Sequence, residues 1–495
     1  MPDSQMRMSS QASKSYLLIA AAILLLAFGL RVWNLGDASL WADEATTAWW
    51  ANTSFKNFLE NRVLPRGGNQ LPLHIASLHF FPANNEFMLR FPSIAVSVVA
   101  TAAVIGLVQR SYTDRSMALV AGLLIATNPL NVWLSRAARP YAYFFAGVVF
   151  VSLFFLLLVQ GKRSRAIWLG FVVSSALVYL THYFALFLPA VQYLLIGVYF
   201  KRLRALLRPW LLAQIAAGIG LICLWLAQIM YGKPGAIGIG WIPDPRLLDI
   251  PLSIANLLVG YIGGTSWYLL IGLFSAGLGF AFGVWRALQR RRMIEVFWLL
   301  LSITPLISIF IASKVLHPLY VDRYFSEAQI GAIALMLVGW WQLARRRWRY
   351  FLVALVVMSS LLTIRQTIMS GENEREDWRG ATEYIAAYFQ TGDGFVLDSY
   401  FLIALSHYLP ADGIAFYILT EFENTHTLSE FSRVWVIYRN PNEDIHRQGL
   451  MPDFDPYAPA LNPTGEWLAE RRGQILQHAD FNGLSIFLLQ ANEIS

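Results

Sequence analysis

Eleven apolar stretches dominate the first three quarters of the chain, at about 15–34, 87–108, 117–134, 140–159, 166–182, 184–200, 209–230, 267–286, 294–313, 327–344 and 350–365. A helix needs roughly 17–25 mostly apolar residues to cross a bilayer. The pattern therefore predicts an α-helical multi-span membrane protein with about 11 transmembrane helices, or 11–13 if further segments dip into the bilayer. The pair around "LVYLTHYFALF" is separated only by "THY", and the run at 247–262 reads as a further short or re-entrant segment. Composition agrees: 56% of the residues are hydrophobic and 14% charged, where a soluble domain carries roughly 25% charged residues. A single cysteine, Cys223, excludes an intramolecular disulfide and a cysteine-cluster metal site.

The net charge of +7 is unevenly spread. Residues 371–495 hold 19 Asp or Glu and 7 Arg, so that part carries −12 and the remainder +19. The basic excess sits in short loops: "QRSYTDR", "QGKRSR", "KRLRALLR", "RALQRRR" and "RRRWR". Counting eleven spans puts all five on one side with Lys14 and the N-terminus, which the positive-inside rule makes cytoplasmic. This is the charge pattern of a membrane protein and not of a nucleic-acid binder. The first apolar run lacks a cleavage site and is expected to stay as a helix. The C-terminal part is then expected on the outer side, periplasmic or extracellular if the membrane is the cell inner (plasma) membrane, a choice that composition does not make.

Two domains are expected. Residues 1–370 form the transmembrane module, with a first outer loop at 35–86. Residues 371–495 form a small outer-side α/β domain. There, "DWRGATEYIAAYFQTGDGFVLDS" reads as an amphipathic helix, a Gly-Asp-Gly turn and a strand, while "SRVWVIYRN" and "LSIFLLQA" read as further strands.

Polar residues that topology does not explain are the informative ones. "LWADEATTAWW" places Asp43 and Glu44 between tryptophans just past the first apolar run. A carboxylate shielded by Trp41, Trp49 and Trp50 gains proton affinity and suits a general base. The plainer alternative is a helix N-terminus beside an aromatic belt. Expected outer-side cations are Arg31, Arg62, Arg66, Arg90, Arg136, Arg139, Arg246, Arg323, Lys233 and Lys314. "SKVLHPLYVDRYF" offers Lys314, His317, Arg323 and Tyr324, and "WLSRAARPYAYF" offers Arg139 and Tyr141. The arginine fork suits phosphate, although interfacial anchoring would use the same residues. His74 and His79 lie five apart, a poor spacing for one helical face. No Walker motif or Rossmann fingerprint is present, so no nucleotide cofactor is expected.

Taken in order, these blocks resemble the bacterial membrane glycosyltransferases related to protein O-mannosyltransferases and to the aminoarabinose transferase that modifies lipid A (family 39-like or the related family 83), which have the GT-C fold. The resemblance rests on "RVWNLGDASLWADEA", "LPLHIASLHFFPANNEFMLRFPSIAVSVVA", "RAARPYAYFF", "HPLYVDRYF" and "EDWRGATEYIAAY", and covers most of residues 25–400. It implies an inverting glycosyltransferase using a polyprenyl-phosphate-linked sugar donor and a hydroxyl acceptor, a glycolipid, polysaccharide or protein, at the outer face of the bilayer. By the same resemblance Asp43 is the catalytic carboxylate. Arg323, Arg139, Lys314 and Tyr324 would bind the donor phosphate, with Glu44, Arg31, Tyr141 and His317 in support. A divalent metal ion (Mg, Mn or Zn) at Glu44 and His74 is a further implication. The sequence departs from many relatives in having Ala42 before the acidic pair.

Two other classes fit a multi-span chain. A transporter or flippase for lipid-linked sugars predicts paired inverted halves, which the sequence lacks. A non-catalytic scaffold predicts that function survives loss of the Asp43 carboxylate.

Overall fold

The computed structural model describes residues 2–65, 71–81, 85–232, 242–260, 266–369, 376–397, 401–409, 416–418, 431–439, 467–468 and 471–490. The chain divides into two compact units. One comprises Met1–Trp33, Thr53–Pro82 and Met88–Arg365; the other comprises Asn34–Asn52, Ala83–Phe87 and Gln366–Ser495.

The first unit is helical. Its elements are α1 (Pro2–Val32), α3 (Phe55–Phe58), α4 (Leu73–Leu78), α5 (Glu86–Tyr112, whose first residues belong to the second unit), α6 (Arg115–Thr127), α7 (Pro129–Ser135) and α8 (Tyr141–Val159). They continue with α9 (Arg165–Tyr179), α10 (Phe187–Val198), α11 (Phe200–Tyr231), α12 (Asp249–Val259), α13 (Trp267–Arg290), α14 (Met293–Val315), α15 (Ser326–Trp340) and α16 (Arg346–Ile364). In the second unit are α2 (Ala42–Asn52), α17 (Trp378–Tyr388), α18 (Leu402–Tyr408) and strands β1 (Asp393–Leu397), β2 (Phe416–Ile418), β3 (Arg433–Arg439), β4 (Ile475–Phe481) and β5 (Leu484–Gln490).

The multi-span expectation holds, but the span count needs correction. Among the described residues, seven helices are long and apolar enough to cross a membrane, or eight if the bent pair α6–α7 is one span. The three other expected spans fall on shorter apolar helices. α9 and α15 have 15 residues each, and α10 with its preceding turn runs from Tyr183 to Val198. At 1.5 Å per residue, 15 residues reach only about 22 Å, against roughly 30 Å of hydrocarbon. Apolarity was read correctly in these stretches; helix length was overestimated because turns and caps take up their ends. α12, on the expected short segment, has 11 residues.

α15 lies at the centre of the helical unit. All of its residues are buried, and it packs against α13, α14, α12, α8 and α6. Small residues allow the closest of these contacts: a Cβ at Gly283 would run into the carbonyl of Leu335, and one at Gly339 into the carbonyl of Gly279.

The bend between α6 and α7, 59°, has a local cause. Pro129 has no N–H to continue α6, and it forces Asn128 out of helical geometry, to φ −65° and ψ 120°. The Asn128 side chain then caps α7 by accepting from the Asn131 N–H at 2.9 Å. The break frees carbonyls at the end of α6, and the fully buried Arg31 takes two of them, Ala126 O at 3.0 Å and Ile125 O at 3.3 Å. Its remaining donors go to Ala27 O, Ser97 Oγ and Asn131 Oδ1.

The second unit is built on a five-stranded sheet of order β2-β1-β3-β5-β4. β1 pairs in parallel with β2 and β3, while β5 pairs antiparallel with β3 and β4. Val396, Val434, Val436, Trp467, Leu468, Phe487 and Leu489 form a core on it. The buried Asp393 carboxylate accepts from Arg433 Nη2 at 2.7 Å and Trp435 Nε1 at 2.9 Å, so the charge is satisfied where β1 starts. Asp377 caps α17 by accepting from Gly380 N–H. α17, β1, β3 and β5 coincide with the stretches read as helix and strands from sequence.

Candidate functional site

The acidic pair lies in the first turn of α2, where carboxylates favour a helix. Glu44 is buried and Asp43 is partly exposed. The Thr47 hydroxyl donates to the Asp43 carbonyl at 3.0 Å, one turn on.

The residues leading into α2 are held by groups distant in sequence. The Ala42 N–H donates to Glu376 Oε2 at 2.9 Å, and the Trp378 indole N–H meets the same oxygen at 3.0 Å. A carboxylate there satisfies one of the backbone donors that a helix start leaves open. Ser39 Oγ donates to the Glu376 carbonyl and accepts from the Trp378 N–H. Leu40 N–H donates to the Tyr408 phenol at 2.7 Å, which donates onward to Glu86 Oε1 at 3.0 Å. Burial raises the Tyr408 pKa above its ordinary value, which keeps this phenol a donor. Arg379 pairs with Glu86 and donates to Asp37 O. The approach to Asp43 is thus tied at Asp37, Ser39, Leu40 and Ala42, to α17, α18 and Glu376.

In the helical unit, a second set of expected residues comes together. Tyr141 opens α8 and stacks near-parallel with Tyr324, ring centroids 6.2 Å apart and planes 27° apart. Arg323 lies with its guanidinium 5.6 Å from the Tyr324 ring. Beside both rings sits His182, 5.1 Å from Tyr324, 6.5 Å from Tyr141 and stacked on Phe144 at 4.7 Å. His74, buried in α4, meets Tyr143 edge-on at 5.2 Å. Burial lowers the His74 pKa to about 3, and Arg139 nearby pushes the same way. Arg139 is the charged neighbour of His182 as well.

The loop that carries Arg323 is tied down by its neighbouring aspartate. Asp322 is buried and accepts from Ser253 Oγ and from Asn256 Nδ2, the latter at 2.6 Å, both on α12. The Tyr320 hydroxyl donates to Ser253 Oγ at 3.0 Å. Tyr141 also lines a small cavity with Ser97, Asn131, Leu134, Ser135, Ala142, Phe145, Ser326 and Gln329.

Against known proteins, the family profile described as dolichyl-phosphate-mannose-protein mannosyltransferase matches residues 75–228. Among solved structures, ArnT from Cupriavidus metallidurans in the apo state is similar at 12% identity over 97% of this chain and 98% of its own, with a TM-score of 0.59. The same protein bound to undecaprenyl phosphate gives 13%, 96%, 98% and 0.56. The Archaeoglobus fulgidus oligosaccharyltransferase in complex with Zn and sulfate gives 13%, 84%, 67% and 0.51. The chain has the GT-C fold. No curated protein sequence matches it significantly.

Placed on this GT-C framework, the expected residues separate into groups. Asp43 and Glu44 belong to the α2 turn; Arg139, Tyr141, Arg323, Tyr324 and His74 belong to the aromatic cluster of the helical unit. Arg31 is a fully bonded strut at the α6 end. Lys314 is half-exposed and pairs with Asp244 at 3.0 Å, and His317 is partly buried in the same loop. Arg136 donates to the carbonyls of Arg31 and Trp33, Arg90 is buried and Arg62 partly so. The Arg246 N–H donates to Asp249. Arg66 and Lys233 lie outside the described residues. His79 packs on Phe55 and Phe58.

As to a metal, no group of three or more His, Cys, Asp or Glu suited to hold one occurs among the described residues. Burial and, after it, the Arg139 guanidinium keep the His74 ring neutral. Sequence reading missed Glu376, Tyr408, Asp322 as an anchor, and His182. Only His182 left a local trace, a lone polar "TH" between apolar runs.

Proposed function

We propose that this chain is an inverting glycosyltransferase. It moves a sugar from a polyprenyl-phosphate-linked donor to a hydroxyl acceptor, a glycolipid, glycan or protein, at the outer face of the cell inner membrane. The observation that carries this reading is the GT-C fold over nearly the whole chain, combined with Asp43 in a helix turn whose approach is tied down on every side. The solved ArnT structure with undecaprenyl phosphate supports a lipid-phosphate donor.

In this mechanism Asp43 accepts the proton of the acceptor hydroxyl. The oxygen attacks the anomeric carbon from the face opposite the phosphate, the carbon–oxygen bond to phosphate breaks, and the lipid phosphate leaves with the bonding pair. One base suffices, because phosphate leaves without the protonation that a sugar alcohol requires. Negative charge grows on the leaving oxygen, and Arg139 and Arg323 stabilise it while Tyr324 and Tyr141 orient the donor. Lys314, in the last turn of α14 and paired with Asp244, and His317 would support donor binding, and Glu44 supports the α2 turn.

For topology we infer an odd number of crossings. An odd number keeps the N-terminus and the basic loops cytoplasmic and puts the acidic C-terminal domain outside.

The test compares lipid-linked and lipid-free glycans from cells with wild-type protein and with Asp43→Asn at matched membrane abundance. The expected result is accumulation of one polyprenyl-phosphate sugar and loss of one glycoconjugate. Unchanged glycans, where the wild type has a measurable effect, would remove Asp43 as an essential base.

A further inference from the structure

The mechanism above leaves one polar group of the aromatic cluster without a task. His182 lies in the three-residue link between α9 and the short turn Tyr183–Leu186. This link is pinned, since Leu73 N–H at the start of α4 donates to Leu180 O at 3.0 Å. The ring itself is fixed on several sides: stacked on Phe144 with planes 18° apart, met edge-on by Phe184 at 5.3 Å, and flanked by Tyr324.

Its tautomer follows from one hydrogen bond. His182 caps the turn by accepting the Phe184 N–H on Nδ1 at 3.2 Å. A nitrogen that accepts carries no proton, so the ring proton of the neutral imidazole is on Nε2. Among the described residues the His182 side chain makes no other hydrogen bond than this one, and the residue is partly exposed. Arg139 beside it disfavours a second positive charge. The result is a rigid, neutral, single N–H donor set among aromatic faces.

We propose that His182 reads the sugar of the donor: Nε2–H donates to a hydroxyl of the saccharide carried on the polyprenyl phosphate, making His182 a specificity-determining residue. The proposal rests on the donor reading above. Charge decides which part of the donor it meets. Phosphate is matched by the guanidinium forks of Arg139 and Arg323, which are charged and bidentate. A neutral N–H beside the near-parallel rings of Tyr141 and Tyr324 matches a saccharide, whose C–H faces pack on aromatic rings while its hydroxyls pair with fixed polar groups. A site built to bond one hydroxyl discriminates strongly against a sugar that lacks it there, because the buried donor is then left unpaired.

The experiment measures binding of four lipids to the full-length protein in nanodiscs: undecaprenyl phosphate bare, or carrying glucose, mannose or 4-amino-4-deoxyarabinose. Wild type, His182→Phe and His182→Gln are compared. Phenylalanine keeps the stacking and removes the donor; glutamine restores an N–H donor. Wild type is expected to favour one loaded lipid over the bare one. H182F should lose about tenfold or more of that preference, within the range of a lost buried hydrogen bond, with bare-lipid affinity unchanged. H182Q should recover part of it. Unchanged bare-lipid binding also shows that H182F has folded.

Three results would overturn the proposal. H182F could weaken bare and loaded lipids equally, which would make the phosphate its ligand. The preference could survive in H182F. Wild type could bind bare and loaded lipids alike. Failure of the underlying function looks different, since wild type would then bind none of the four.

Discussion

The two segments that carry the proposed chemistry are held by different kinds of force. Residues 37–42, leading into α2 and Asp43, are fixed by hydrogen bonds to their backbone: from Ala42 N–H to Glu376, from Leu40 N–H to Tyr408 and from Arg379 to Asp37 O. Residues 320–324, leading to Arg323 and Tyr324, are fixed through side chains, by the grip of α12 on Asp322 and by ring contacts with Tyr141, His182 and Phe184. Backbone bonds set the position of a single atom group closely, as a general base requires, because a misplacement of about 1 Å costs on the order of 100-fold in rate. Ring packing forms a face, as binding a lipid-linked saccharide requires. The contrast predicts that damage to the first segment lowers kcat and damage to the second raises KM for the donor.

The largest effect should follow Glu376→Ala. It leaves the Ala42 N–H and the Trp378 indole without their shared acceptor and lets the α2 turn shift. We expect kcat to fall about 100-fold, with KM for the donor lipid changed by less than about threefold. Glu376→Gln keeps an acceptor oxygen and should recover much of the rate. A rise in KM with unchanged kcat would break the comparison at its first term.

Asp322→Asn tests the other half. The amide keeps one acceptor oxygen of the two that Ser253 and Asn256 use and loses the charge, in a buried place, at a cost of ~1–3 kcal/mol. Loosening Arg323 and Tyr324 together should raise KM for the donor about tenfold, with kcat altered by less than about threefold. Steady-state kinetics over a donor-lipid series decides it, and a loss confined to kcat would count against the assignment.

How far each half could be read from sequence follows from the same difference. Asp43 could be singled out from sequence because an acidic pair between tryptophans, just past a membrane helix, stands out locally. Glu376 was not, since its partner Ala42 lies 334 positions away and nothing in "EDWRG" marks that carboxylate as the one that meets α2. Asp322 was not legible as an anchor either, because its partners Ser253 and Asn256 are on α12 and nothing in "VDRYF" points to them. The broken span at Asn128–Pro129 had its signal in the sequence, a proline inside an apolar run, and the role of Arg31 in closing that break depended on it. Of the five strands of the C-terminal sheet, β1, β3 and β5 were legible in their apolar and β-branched content, whereas β2 and β4 were not, and the order, which places β5 between β3 and β4, depends on long-range pairing.

A smaller, pH-linked effect sharpens the comparison on the aromatic side alone. His74 has a folded pKa of about 3, lowered by burial and then by Arg139, against about 6.5 in an unfolded chain. Above pH 6.5 both states are neutral at this residue, so it makes stability neither rise nor fall with pH. Below that, the unfolded chain gains a proton that the folded one refuses, and stability falls by about 1.4 kcal/mol per pH unit. Between pH 6.5 and 5 the loss is roughly 2 kcal/mol. His74→Gln cannot take up that proton, so its thermal midpoint in nanodiscs should fall less than wild type over this interval, with the two curves parallel above pH 7. Because His74 adjoins Arg139 and Tyr143 and lies apart in sequence from the bonds that hold α2, H74Q should alter donor KM before kcat. Parallel curves down to pH 5 would mean that His74 is charged in the folded state, and that Arg139 stands farther from it than the geometry gives.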